Sequence, residues 1–94
     1  MIKVVTKFIA KNNEVENIKE VFAKIIPSIR KEDGNISYHL FQDVKSKNEL
    51  TLIEEWKSKE TLDSHMQTRL LQNALGQIEK HVVDINTNFY QLLI

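Results

Sequence analysis

The chain has 94 residues, 13 basic against 13 acidic, three histidines and no cysteine. A chain of that length makes one domain, expected over residues 1–94, and gains from burying further surface by self-association. Balanced charge leaves no field to attract nucleic acid or an anionic membrane, and without cysteine there is no disulfide, thiolate nucleophile or thiolate metal site.

The opening MIKVVTKFIA lacks the basic flank, apolar stretch and small-residue cleavage site of a signal peptide. No apolar run approaches membrane-spanning length, so a soluble, cytoplasmic protein is expected. Ile2 to Lys11 alternates, with Ile2, Val4, Thr6, Phe8 and Ala10 on one face and Lys3, Val5, Lys7, Ile9 and Lys11 on the other, which predicts a strand. Asn13 is placed to cap the next helix, with Glu16 able to reach back. Val15, Ile18, Val21, Phe22, Ile25, Ile26 and Ile29 then recur at helical spacing. Pro27 predicts a kink or break, and Gly34 a left-handed helix end.

Two alternating runs follow, separated by the polar Lys45-Ser46-Lys47-Asn48, and predict a β-hairpin. Ile36, Tyr38 and Leu40 share one face of the first strand; Leu50, Leu52, Glu54 and Trp56 share one face of the second. Glu54 breaks the pattern, because a carboxylate on an apolar face must be solvated, hydrogen-bonded or protonated. Ser58 caps a second helix, in which His65 falls on the face of Leu62 and Met66, with Arg69 and Leu70 continuing the spacing. The phase drifts by Leu71, Ala74, Leu75 and Ile78, predicting two helical pieces with a bend near Thr68. Val82 to Ile94 reads as a final strand, with a bulge at Asn86-Thr87-Asn88. The order β-α-β-β-α-β predicts an α+β, ferredoxin-like split βαβ fold, helices on one face of an antiparallel sheet.

Tyr38, Glu54, Trp56 and His65 are thus the polar or amphipathic groups able to converge on one apolar interior. Each has a packing role as an alternative: Trp56 and Tyr38 as core anchors, Glu54 and His65 as a satisfied internal pair. His39 and His81 read as surface or interface residues. No histidine pair has the HExxH or facial-triad spacing of a metal site. With two glycines in the chain, no phosphate loop or dinucleotide fingerprint is present, so neither metal nor organic cofactor is expected.

The ordered set Glu32, Gly34, Ser37-Tyr38, Glu54-x-Trp56, Ser58, Leu62 and His65 resembles the antibiotic biosynthesis monooxygenase family, and within it the short quinol monooxygenase-like members. The resemblance implies a homodimeric α+β barrel in which two sheets pack face to face, with Phe41 and Ile53 at that face. It implies a monooxygenase using dioxygen on a small hydroxyaromatic or quinol, without metal or organic cofactor. In that scheme His65 is the base or proton shuttle, Glu54 its orienter, and Tyr38 and Trp56 donors to the substrate. Many members carry a second histidine where this chain has Arg69, which would instead clamp an anionic group.

Related barrels isomerise small phosphorylated signalling sugars, which would require a basic pocket near Arg69. Haem-degrading relatives use an asparagine on the first strand, and Ile2 to Lys11 has none. A non-catalytic ligand-binding or stress-response dimer would show a pocket collapsed around Glu54, too small for a ring.

Overall fold

The fold is seen in a computed structural model that describes residues 1–94. Strand β1 (Ile2–Ala10) lies inside a four-stranded antiparallel sheet, because both its edges are taken. On one side it pairs with β3 (Glu49–Trp56), which in turn pairs with β2 (Asn35–Gln42); on the other it pairs with β4 (Val82–Gln91). The strand order is β2-β3-β1-β4, so β2 and β4 are the open edges. Three helices complete an α+β, ferredoxin-like β-α-β-β-α-α-β order: α1 (Val15–Ile29), α2 (Lys59–Met66) and α3 (Arg69–Ile78). None is long and apolar enough to cross a membrane.

The α1 stripe buries Ile18, Phe22, Ile25, Ile26 and Ile29, each worth roughly 1.5–3 kcal/mol when fully withdrawn from water. Phe22 meets Phe8 of β1 with ring centroids 5.6 Å apart, tying helix to sheet. The expected cap at Asn13 does not form. Asn13 has φ 66°, a left-handed turn that asparagine tolerates, while Glu14 precedes the helix without a side-chain cap bond. Swinging the chain from β1 into α1 takes Asn13 out of the extended geometry that an N-cap needs. Pro27 does not break the helix, which runs on to Ile29, with Arg30 N–H bonded to the Ile26 carbonyl at 3.0 Å. The missing donor is the one that would have met the Ala23 carbonyl, and because Pro27 lies in the last turn only Ser28 and Ile29 of the helix follow it.

Gly34 has φ +81° as expected, although the helix ends earlier, at Ile29. Its freedom answers a second need. A Cβ there would lie 2.4 Å from Thr61 of α2, and its carbonyl accepts the Lys57 N–H at 2.8 Å. On β2, an irregularity between Asn35 and Ser37 inserts Ile36 as an extra residue, which leaves the face of Tyr38 and is half exposed. The bulge expected at Asn86–Asn88 is elsewhere. Those residues pair regularly with Lys7, Thr6 and Val5, and the register shifts between Ile9 and Ala10, where β4 leaves a short 3-10 turn (Glu79–His81).

The bend near Thr68 is present. Thr68 Oγ1 donates to the His65 carbonyl at 2.8 Å and accepts from Leu71 N–H at 3.3 Å, closing α2 and capping α3 with one hydroxyl. Ser58 caps α2, accepting from Thr61 N–H at 3.2 Å.

Candidate active site

Alternation on β3 puts Leu50, Leu52, Glu54 and Trp56 on the buried side of the sheet, and the same register sets Tyr38 beside Glu54. Arg30 fixes that segment of β2 with two bonds from its guanidinium to the Tyr38 carbonyl, at 2.9 and 3.1 Å. Across from the strands, α2 buries Leu62 and His65. Four of the five candidate residues therefore meet: Tyr38, Glu54, Trp56 and His65 are all nearly inaccessible to water. The fifth does not. Arg69 is exposed at the first position of α3, away from the cavity described below.

Trp56 Nε1–H donates to Glu54 Oε1 at 2.9 Å, and its ring stacks on His65 with centroids 4.5 Å apart. Tyr38 meets the same imidazole edge-on at 5.5 Å. His65 Nδ1 lies 2.8 Å from Glu32 Oε1, whereas Nε2 lies 3.8 Å from Glu54 Oε1. The residue that orients the imidazole is thus Glu32, not Glu54 as the sequence led us to expect. Glu32 follows α1 in a loop, and no periodicity fixes where a loop side chain points. The Tyr38 hydroxyl is buried without a hydrogen-bond partner in the protein.

Burial pushes the Glu54 carboxyl up to about 7, with the Trp56 N–H holding it down in part and the negative Glu32 pushing it further. Burial also lowers the basicity of His65, against the hydrogen bond and charge of Glu32. The Tyr38 hydroxyl is raised well above its usual range by burial and then by Glu54 and Glu32. Near neutral pH the site therefore holds a neutral imidazole and a carboxyl divided between its two protonation states. That is the condition in which a carboxyl can both take and return a proton.

These groups border a cavity of about 520 Å³ between the sheet and the α2–α3 pair. Tyr38, Glu54 and His65 line it together with Val4, Phe8, Leu52, Leu62, Met66 and Leu71, and Ile85 and Phe89 of β4 form its open side. Thr6, Thr87, Gln72 and Glu79 add polar groups that the sequence reading missed. For Thr6 the signal was there: it is a polar residue between Val4 and Phe8 on an otherwise apolar face, as Glu54 is on β3. Thr6 and Thr87 hydroxyls lie 3.1 Å apart. No group of three or more His, Asp or Glu side chains is arranged to hold a metal ion.

His39 is exposed on the other sheet face, and His81, which does not line the cavity, has Nδ1 2.7 Å from Glu14 Oε2.

A sequence profile described as antibiotic biosynthesis monooxygenase matches residues 1–77, which include Tyr38, Glu54, Trp56 and His65. The chain belongs to the antibiotic biosynthesis monooxygenase family. Solved structures agree on the fold. A conserved protein of Methanosarcina mazei is 26% identical with a TM-score of 0.92, over 96% of this chain and 90% of that one. A structure described as an antibiotic biosynthesis monooxygenase is 23% identical, with a TM-score of 0.91 over 100% of both chains. A Shewanella oneidensis protein is 24% identical, with a TM-score of 0.90 over 95% of this chain and 87% of that one. No functionally curated protein matches the chain. In this family member the matched segment ends before β4, so the strand that borders the open side of the cavity lies outside the shared profile.

Proposed function

We propose that the chain is a monooxygenase that places one atom of dioxygen on a small hydroxyaromatic or quinol, using no metal or organic cofactor. The observation that carries this reading is the Glu54 carboxyl, poised near neutrality in an apolar cavity beside an oriented neutral imidazole. In this reading the substrate ring lies against Leu52, Leu62 and Phe8. Its hydroxyl faces Tyr38, whose partnerless O–H supplies a donor where negative charge grows. A proton leaves the substrate for the Glu54 and His65 pair. The electron-rich anion reduces dioxygen and bonds to it, and the peroxide formed takes back the proton as it expels water. A phenol with a free ring position and one dioxygen thereby give a quinone and one water, with no further reductant.

Cavity size and chemistry favour this reading over its rivals. About 520 Å³ falls within the range of small-molecule sites, larger than the collapsed pocket of a non-catalytic scaffold. No lysine or arginine lines it, which runs against a phosphorylated sugar. The reading includes a homodimer, supported by the exposed apolar side chains Phe41 and Tyr90 on the sheet face turned away from the cavity.

The test is oxygen uptake with a panel of quinols and phenols under 18O2. One label in product and one in water per turnover is expected, and His65→Ala is expected to lose about 10²–10⁴-fold in rate. No uptake with any phenol or quinol that binds in the cavity would overturn the oxygenase, and an unchanged His65→Ala rate would remove His65 from it.

A further inference from the structure

His65 separates two spaces. On one side is the apolar cavity; on the other is a polar surface dimple of about 200 Å³, lined by Glu32, Asp33, Thr61, Ser64, Thr68 and His65 itself. His65 is the one residue that borders both. Its two ring nitrogens face two different carboxylates, Nδ1 toward Glu32 at 2.8 Å and Nε2 toward Glu54 at 3.8 Å. The Glu32 side chain is partly open to solvent, whereas that of Glu54 is not.

We propose that Glu32, His65 and Glu54 form a proton relay joining the surface dimple to the cavity, with Glu54 as the group that exchanges a proton with substrate. The proposal rests on the acid–base reading of the cavity given above. Its geometry has a direction. Glu54 Oε1 is already engaged by the Trp56 N–H and is the oxygen nearest His65, which leaves Oε2 for the substrate. The relay starts with the proton of His65 on Nδ1, donated to the Glu32 carboxylate, and with Nε2 bare.

A substrate proton taken by Glu54 is presented to Nε2 when the carboxyl turns, closing a gap roughly 1 Å longer than a hydrogen bond. As Nε2 accepts it, the Nδ1 proton passes to Glu32. One proton has then moved from substrate to Glu32, the imidazole has exchanged tautomers, and no atom is gained or lost. The reverse sequence delivers a proton to the oxygen that leaves as water and restores the starting tautomer.

The surroundings leave few competitors. Asp33 stands beside Glu32 in the dimple, Glu79 borders the far part of the cavity and Tyr38 faces the imidazole edge-on. Strands β1 and β4 bring only the neutral Thr6 and Thr87, and no lysine or arginine lines either space.

The test needs no substrate for its first arm. With labelled histidine and glutamate in the full chain, NMR is expected to show His65 protonated on Nδ1 and bare on Nε2 above pH 7.5. The Glu54 carboxyl and the His65 ring resonances are expected to move together through neutrality. Glu32→Gln, which keeps an acceptor at Nδ1 but holds no exchangeable acid proton, is expected to shift the Glu54 titration to lower pH. A proton on Nε2 at rest, or a Glu54 titration indifferent to Glu32→Gln, would overturn the relay.

The second arm uses oxygen uptake with a turned-over quinol. Glu32→Gln is expected to lower kcat at least 10-fold with KM unchanged, and Glu32→Ala to regain rate in proportion to added formate, which fits the dimple. Absence of formate rescue in a folded Glu32→Ala protein that still binds substrate would also overturn it. Should no quinol be turned over while the NMR pattern holds, the oxygenase reading fails and the relay stands.

Discussion

Trp56 holds Glu54 by an edge and His65 by a face: its N–H meets the carboxylate at 2.9 Å while its ring stacks 4.5 Å from the imidazole. That N–H favours the ionised carboxylate, and only burial and Glu32 outweigh it. Trp56→Phe keeps a ring for stacking and removes the donor, so the Glu54 titration is expected to move above about 7. Stability should fall by about 1.5–3 kcal/mol, the scale of a hydrogen bond to a charged group. Carbon-13 NMR of labelled glutamate and urea denaturation read the two effects.

Glu54 makes the fold sensitive to pH. Below about 4.5 the carboxyl is protonated whether the chain is folded or not. From there to about 7 the unfolded chain ionises and the folded one resists, so stability falls as pH rises through that window. The full loss is on the order of 3 kcal/mol. His65 acts in the opposite sense, since its lowered basicity removes stability as pH falls below its ordinary range. The difference between wild type and Glu54→Gln isolates the carboxyl: the variant is expected to gain stability relative to wild type from pH 4.5 to 8, as followed by thermal melts.

Tyr38 carries a buried hydroxyl with no partner. An unsatisfied group of this kind costs stability, so Tyr38→Phe is expected to leave the melting temperature unchanged or raise stability by about 1 kcal/mol. Oxygen uptake should fall in the same variant. A clear loss of stability would mean that the hydroxyl is bonded and serves packing instead.

Gly34 cannot take a side chain. Its positive φ and the 2.4 Å approach of an added Cβ to Thr61 combine backbone strain with overpacking. Gly34→Ala is expected to cost at least about 2 kcal/mol in urea denaturation. Because Thr61 belongs to the same helix as His65, the displacement should also change the His65 ring shifts in NMR.

Strict periodicities made much of this legible beforehand. Glu54 could be placed inside because Leu50, Leu52 and Trp56 bracket it at spacing two, and His65 because it follows Leu62 at helical spacing. Periodicity fails where it is interrupted. Arg69 lies at helical spacing from His65, yet the Thr68 cap resets the phase and turns Arg69 outward. Ile36 belongs to an alternating run, but the extra residue at the irregularity in β2 moves it off the face. Glu32 is set by a tertiary contact across 33 positions of sequence, which local pattern does not encode. The cavity likewise draws its lining from all four strands together with α2 and α3, a property of packing and not of any one segment.

The contact between Glu32 and His65 fastens the loop after α1 to α2, and so it serves as a mechanical clasp as well as an electrostatic one. Evolution therefore cannot tune the basicity of that imidazole without also loosening or tightening the wall it belongs to. Substitutions that adapt the protein to new ligands should accumulate on the β4 side of the hollow, where the lining bears no such double duty.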